Sequence, residues 1–405
     1  MLIVKEGLRN ARLTWLMTIL VGLYFTFSSL DYVAKIGGGN ASYLRVFGIA
    51  IYAIGFLEMV FSRRVIISKF ELLLFYLIAL PFVACVWAVN PSSGFNRALN
   101  ILTTVLVVFF VMQFDFNEKQ IHAIELFSVL GAMIVGYILI EDQGLNMFLS
   151  GGRIYLSGDK NTSDPNGMAA RLVLPLFISI KLIVSSKKRY MKIVYAATFS
   201  VIVLLFLMCG SRGGTISVLF GIVIYLLKST KMNSRRRELS FIIPIFIIIV
   251  FLIFAKDILP SYIYSRLFES GNYTSGAGRT FIWETFLQKI YWSSPIIGFG
   301  TNGVQYKIGE QLGYGFYAMH NSYLCMIGEY GILYIPVFMY FLYFIRNKIA
   351  NLGNSLYFSI FYSICGVIFF LDGYETKYFW NMITYIIIIS KYFNSVSMAE
   401  SIEHY

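Results

Sequence analysis

Runs of about twenty predominantly apolar residues recur along nearly the whole 405-residue chain. That is the length at which an α-helix crosses the hydrocarbon core of a bilayer. A helix is also the simplest way for backbone in lipid to satisfy its own hydrogen bonds. Barrel strands would be short and alternating, and these runs are neither. Composition agrees: 58% of residues are hydrophobic and 13% charged, against about a quarter charged in a soluble domain. The pattern predicts an all-α polytopic membrane helix bundle. About twelve transmembrane helices are expected, near 13–31, 43–62, 70–89, 98–114, 121–140, 167–185, 193–210, 213–228, 240–255, 322–345, 356–371 and 380–393.

The net charge of +12 does not indicate nucleic acid, because of where the charge sits. The basic clusters "SRRVIISK", "KKRYMK", "KSTKMNSRRR" and "RNK" lie between apolar runs, in every second connection. This is the positive-inside pattern, and it puts these connections and both termini in the cytoplasm. The N-terminal stretch has no cleavage pattern, so the first span is expected to act as its own insertion signal. Cys85, Cys209, Cys325 and Cys365 show neither metal spacing nor a disulfide framework.

One integral-membrane domain, 1–405, is expected, with two long outer connections. The first, 141–166, contains "GGRIYLSGDKNTSDPNG". The second, 256–321, is large enough to form a periplasmic loop subdomain with short amphipathic helices. Loops of this length in compact proteins are often functional. Neither an internal repeat nor a matched pair of broken helices suggests a transporter.

Because outward-facing arginines run against the positive-inside bias, Arg153, Arg171, Arg212 and Arg279 stand out. Arg212 lies in "CGSRGG", at a tight turn where Ser211 can cap the following helix. Free N–H groups at a helix start, together with a guanidinium, suit an anion, and arginine grips phosphate through paired hydrogen bonds. A snorkelling arginine on a Gly-rich hairpin is the plainer alternative. Arg279 opens "GRTFIWETFLQKIYWSSPIIGFGTNG", where Ile282, Trp283, Phe286, Leu287, Ile290 and Tyr291 recur at helical spacing. That spacing predicts a four-turn interfacial helix with Arg279 at its N-terminus, unfavourable for the dipole unless it holds an anion. Arg171 lies about two turns into a span that starts at Asp164–Pro165, a depth that calls for a partner such as Asp164. Arg153 sits in the Gly-rich connection.

His320 precedes the run "NSYLCMIGEYGILY", and it is one of only three histidines. Imidazole exchanges a proton near neutrality, so His320 is a candidate general base, although an interfacial polar role is also open. Glu329, nine residues on, would lie about 13 Å along the helix on the far face. It is expected to bond neighbouring helices, not to pair with His320. With no carboxylate cluster in view, a metal-independent reaction with no cofactor is expected.

"SRGG", "GRTFIWETFLQKIYWSSPIIGFGTNG" and "HNSYLCMIGEYGILY", in that order, together with "DPNGMAARLVLPL", resemble the O-antigen ligase and O-antigen polymerase superfamily of bacterial membrane glycosyltransferases. The motif-bearing part covers 150–345. The resemblance implies a glycan donor linked to undecaprenyl diphosphate, used at the periplasmic face of the inner membrane. It implies Arg212 and Arg279 as diphosphate contacts, His320 as the base, and Arg153 and Arg171 as further sugar or phosphate contacts. The acceptor is the sugar of another lipid-linked repeat unit in a polymerase, or lipid A-core in a ligase. Polymerases are the more numerous, which favours that reading; a chain-length regulator is then a further partner, beside the membrane lipids. A flippase for the same lipid-linked glycan would also want outer arginines, but with charges along a path open to both faces.

Overall fold

The computed structural model describes residues 2–31, 42–62, 67–144, 153–154, 164–229, 256, 260–268, 278–352 and 354–403. The described residues are helical, with no strand among them. The long helices are α1 (Leu2–Ser29), α2 (Tyr43–Ser62), α3 (Lys69–Ala84), α4 (Pro91–Val111), α5 (Glu118–Gln143), α6 (Pro165–Ser185), α7 (Arg189–Met208) and α8 (Arg212–Ser229). Three short helices follow, α9 (Ser261–Phe268), α10 (Arg279–Thr285) and α11 (Gly303–Leu312), then α12 (Ser322–Tyr330), α13 (Tyr334–Ala350), α14 (Ser355–Phe370) and α15 (Lys377–Glu403).

Seven of these helices are long and apolar enough to cross a membrane, namely the long segments of α1 to α7, and α14 is a shorter apolar helix. The expected span at 240–255 lies outside the described residues. Exposed Ile49, Phe56 and Val60 on α2, and Leu72 and Phe75 on α3, present apolar faces that lipid would cover. By contrast, α15 is buried nearly all round from Phe379 to Ile389, the pattern of a central helix. Polar contacts flank this buried stretch. Lys377 Nζ lies 2.6 Å from Asp31 Oδ2, Asn381 Nδ2 donates to Ser28 Oγ at 2.6 Å, and Lys391 Nζ donates to the carbonyls of Met112 and Phe114. Small residues let α8 and α14 approach closely, with Ser217 and Gly221 facing Gly366 and Ser363.

The expected single span at 322–345 is two helices. The first, α12, stops at Gly331, whose φ of 78° is reached freely only by glycine. A Cβ there would lie 1.7 Å from the Ile296 carbonyl oxygen. The interruption frees backbone groups that a neighbouring loop then satisfies. Phe299 N donates to Gly328 O at 2.8 Å, Gly300 N to Glu329 O at 2.9 Å, and Ile332 N to Pro295 O at 2.9 Å. Buried backbone polar groups need such partners. The Pro295–Gly300 turn is thus a plug in a broken helix, and Val89 N donates to Phe299 O from the α3–α4 connection behind it.

The expected four-turn helix from Arg279 starts there but does not run evenly. Two α-turns lead into a π-helical segment, Phe286–Ile290, and a 3-10 turn, Tyr291–Ser293. Ile282, Phe286 and Ile290 are buried, while Phe281, Leu287 and Trp292 are exposed. The apolar residues therefore divide between the protein and its surroundings.

Candidate functional site

The Gly210 turn joins α7 to α8. Gly210 has a φ of 57°, and Ser211 caps α8 by accepting from Gly214 N at 3.2 Å. Carbonyls at the end of α7 have no partners within the helix, and here arginines supply them. Arg153 Nε donates to Cys209 O at 2.8 Å, and Arg266 Nε donates to Gly210 O at 3.1 Å. Arg212 Nε in turn donates to the Arg266 carbonyl at 2.7 Å. Arg153, in the Gly-rich connection, is pinned: Ile154 N donates to Met208 O at 3.2 Å, and Arg153 Nη2 donates to Asn166 Oδ1 at 2.9 Å.

Arg279 is half-buried at the first residue of α10. Burial pulls its guanidinium below the usual value, Asp164 and Asp372 raise it, and Arg266 and Arg212 lower it again. Arg153 is lowered in the same way, by burial and then by Arg266, with Asp164 opposing. Arg153, Arg212, Arg266 and Arg279 thus form one electrostatic group with Asp164 and Asp372 within its field. Several guanidiniums sharing a partly desolvated place repel one another, and a multiply charged anion relieves that repulsion. Asp164 is the N-cap of α6, as expected, accepting from Asn166 N at 2.9 Å and Gly167 N at 3.0 Å. Arg171 lies farther along α6 and lines a separate small cavity with Ser28, Ser29, Tyr378 and Asn381.

His320 is half-buried, and its φ of 53° is left-handed, uncommon for a residue with a side chain. Both flanking peptides are held. Trp283 Nε1 donates to Met319 O at 3.0 Å, and Asn321 N donates to Asp372 Oδ1 at 3.0 Å. Asn321 also caps α12 by accepting from Leu324 N at 3.0 Å. Ser322 Oγ donates to Leu371 O and accepts from Gly373 N, each at 2.7 Å, which fastens the start of α12 to the α14–α15 connection. Local strain that the surroundings over-determine is characteristic of functional positions. Asp372 connects the two halves of the site: it holds the peptide after His320, and its charge acts on Arg279.

Behind this surface is a buried polar network that sequence reasoning missed. Arg97, on α4, donates to Asn302 Oδ1 at 2.8 Å and lies 2.6 Å from Glu375 Oε2 and 3.4 Å from Glu329 Oε1. It also stands over the Tyr374 ring at 5.4 Å. Glu329 accepts from Tyr374 OH at 2.7 Å, so it bonds neighbouring segments, as expected for it. Burial lifts the Glu375 carboxyl above the usual carboxylate range, against the pull of Arg97. Arg97 was hidden because the fourth span was expected to begin at 98. It begins at Pro91, capped by Asn90, the same Asx-Pro signature that marks α6. With that start, Arg97 lies within a helix long and apolar enough to cross a membrane, where an ionisable side chain is a functional signal by default. Removing one member of such a network leaves buried charge unpaired, so Arg97→Leu is expected to lose about 3–5 kcal/mol of stability. The measurement is thermal unfolding in detergent; an unchanged midpoint would show that the network contributes nothing net.

Among the described residues, no group of three or more His, Cys, Asp or Glu side chains could hold a metal ion.

Fold and site together define a polytopic helical membrane protein with a cationic site at one end of its bundle. Residues 197–339 match the family model described as O-antigen ligase, which supports placing the chain in the O-antigen ligase and polymerase superfamily. The matched stretch contains Arg212, Arg266, Arg279 and His320, while Arg153 and Arg171 precede it. No curated protein matches the chain.

Proposed function

We propose that the chain is a polysaccharide polymerase of the bacterial inner membrane. It transfers a glycan from undecaprenyl diphosphate to the acceptor sugar of another lipid-linked repeat unit. The observation that carries this reading is the gathering of Arg153, Arg212 and Arg266 by hydrogen bonds around the Gly210 turn, with Asp372, which acts on Arg279, holding the peptide after the constrained His320. In the proposed step His320 takes the proton of the acceptor hydroxyl, whose oxygen attacks the anomeric carbon. The bond from that carbon to the phosphate oxygen breaks, and Arg212 and Arg279 stabilise the diphosphate that leaves. Charge neutralisation falls to the guanidiniums, so the reaction needs no metal. Arg153 supports the same anion by fixing the Gly210 turn. Arg171, in its separate cavity, is assigned a contact to a more distant part of the donor.

The ligase reading, with lipid A-core as acceptor, rests on the description of the matched family. Purified protein supplied with an undecaprenyl-diphosphate-linked repeat unit separates the two. Lipid-linked oligomers of increasing length support polymerase. Product that forms only when lipid A-core is added overturns it.

The reading also requires the arginine end to face the periplasm, with both termini inside. With the four native cysteines replaced, Tyr314→Cys, in the exposed loop after α11, is expected to react in intact cells with an impermeant thiol reagent. Lys187→Cys, in the α6–α7 connection, is expected to react only after permeabilisation. The reverse pattern would place the site away from any flipped donor, and the proposed function would fail.

A further inference from the structure

At the opposite end of the bundle from the arginines is a cavity of about 630 Å³. It lies between the start of α5, the end of α6, the start of α7 and the start of α14, with α15 as one wall. The glycan-transfer reading leaves it without a role. Four lysines line it, Lys119, Lys181, Lys187 and Lys188, against two carboxylates, Glu118 and Glu125. One of those carboxylates is already committed. Glu125 is buried, pairs with Lys181 and accepts from Tyr385 OH at 2.7 Å. Lys119 and Lys187 make no ion pair among the described residues. The N-terminus of α7 also opens here, and its N-cap residue, Lys188, makes no side-chain cap. Lys188 Nζ also stands over the Tyr190 ring at 5.8 Å, and free N–H groups in a cavity lined mainly by lysines favour one kind of occupant, an anion. The deeper wall is apolar, with buried Leu182, Tyr357 and Ile389. A volume of this size suits a small ligand or a lipid headgroup with the first carbons of its chains.

We propose that this cavity is a binding site for a phosphate-bearing anion, with Lys119, Lys187 and Lys188 holding the phosphate. Two sources share that chemistry, the headgroup of an anionic phospholipid and a soluble phosphate. Basic pockets between membrane helices at the cytoplasmic side are a known physical solution for the first. The proposal does not depend on what reaction the arginine end performs.

The test uses the full-length protein in non-ionic detergent, with thermal unfolding as the readout. Three probes are titrated: short-chain phosphatidylglycerol, phosphatidylcholine of the same chains, and inorganic phosphate. A ligand that binds only the folded state raises the midpoint with concentration. Phosphatidylglycerol is expected to raise it and phosphatidylcholine not. A rise with inorganic phosphate alone assigns the site to a soluble phosphate and also supports the proposal. The triple variant Lys119→Gln/Lys187→Gln/Lys188→Gln changes only exposed side chains. It is expected to weaken the response by about a hundredfold in apparent affinity. The control Arg12→Gln/Lys192→Gln removes two exposed basic residues that do not line the cavity. It is expected to stay within about twofold of the parent. The proposal is overturned if no anionic probe shifts the midpoint, if phosphatidylcholine shifts it equally, if the triple variant binds like the parent, or if the control loses as much.

Discussion

Replacing His320 with alanine is expected to abolish polymer or ligation product while the protein accumulates in the membrane at its normal level. The backbone argument makes this a clean test. The peptides on both sides of His320 are held by Trp283 and Asp372, and Asn321 caps α12 whatever the preceding side chain is. Alanine accepts a left-handed φ no better than histidine, so a modest loss of stability accompanies the change. Loss of a general base costs about 10²–10⁴-fold in rate. Rescue would not come from Glu329, which is committed to Tyr374 and Arg97. Near-normal product from a deletion strain carrying His320→Ala, with membrane levels matched by immunoblot, would remove His320 from the chemistry.

The second large effect is expected at Arg212. Its Nε is used inside the protein, donating to the Arg266 carbonyl, and this sets the plane of the guanidinium at the first residue of α8. Lysine has one nitrogen in place of three. It cannot both hold that carbonyl and present a fork to a diphosphate. Arg212→Lys is therefore expected to be nearly as damaging as Arg212→Ala, each losing about 10²–10³-fold in turnover. The comparison is diagnostic because the charge is the same in the parent and the lysine variant. Recovery of most activity by lysine would mean that Arg212 contributes charge alone. An active alanine variant would move the diphosphate site elsewhere, and Arg279 would be the next residue to test.

Several residues of the candidate site are legible along the chain because their signals are local. Asp164 before Pro165 marks the start of α6, and Ser211 in the Gly-rich turn marks the start of α8. A histidine directly ahead of a helix can be seen without knowing what the helix packs against. Arg97 was missed through a local error at Asn90–Pro91. Arg266 was missed because its partners, the Gly210 carbonyl and Arg212, are about fifty residues away in sequence. Asp372 has the same distant relation to His320.

Apolar length and the placement of lysine and arginine determined, by themselves, that this is a helical membrane protein with basic connections between its apolar runs. Hydrophobic transfer and the need to satisfy backbone within each segment are properties of a residue and its near neighbours. Only the tertiary structure decided that the run 322–345 breaks at Gly331, because Pro295, Phe299 and Gly300 come from elsewhere to satisfy the freed backbone groups. It also decided that Arg153, Arg212 and Arg266 meet around the Gly210 turn, while Arg171 lines a small cavity with Ser28 and Asn381. Electrostatic energy depends on distance in space, and no pattern along the chain records which charges the packing of helices brings together.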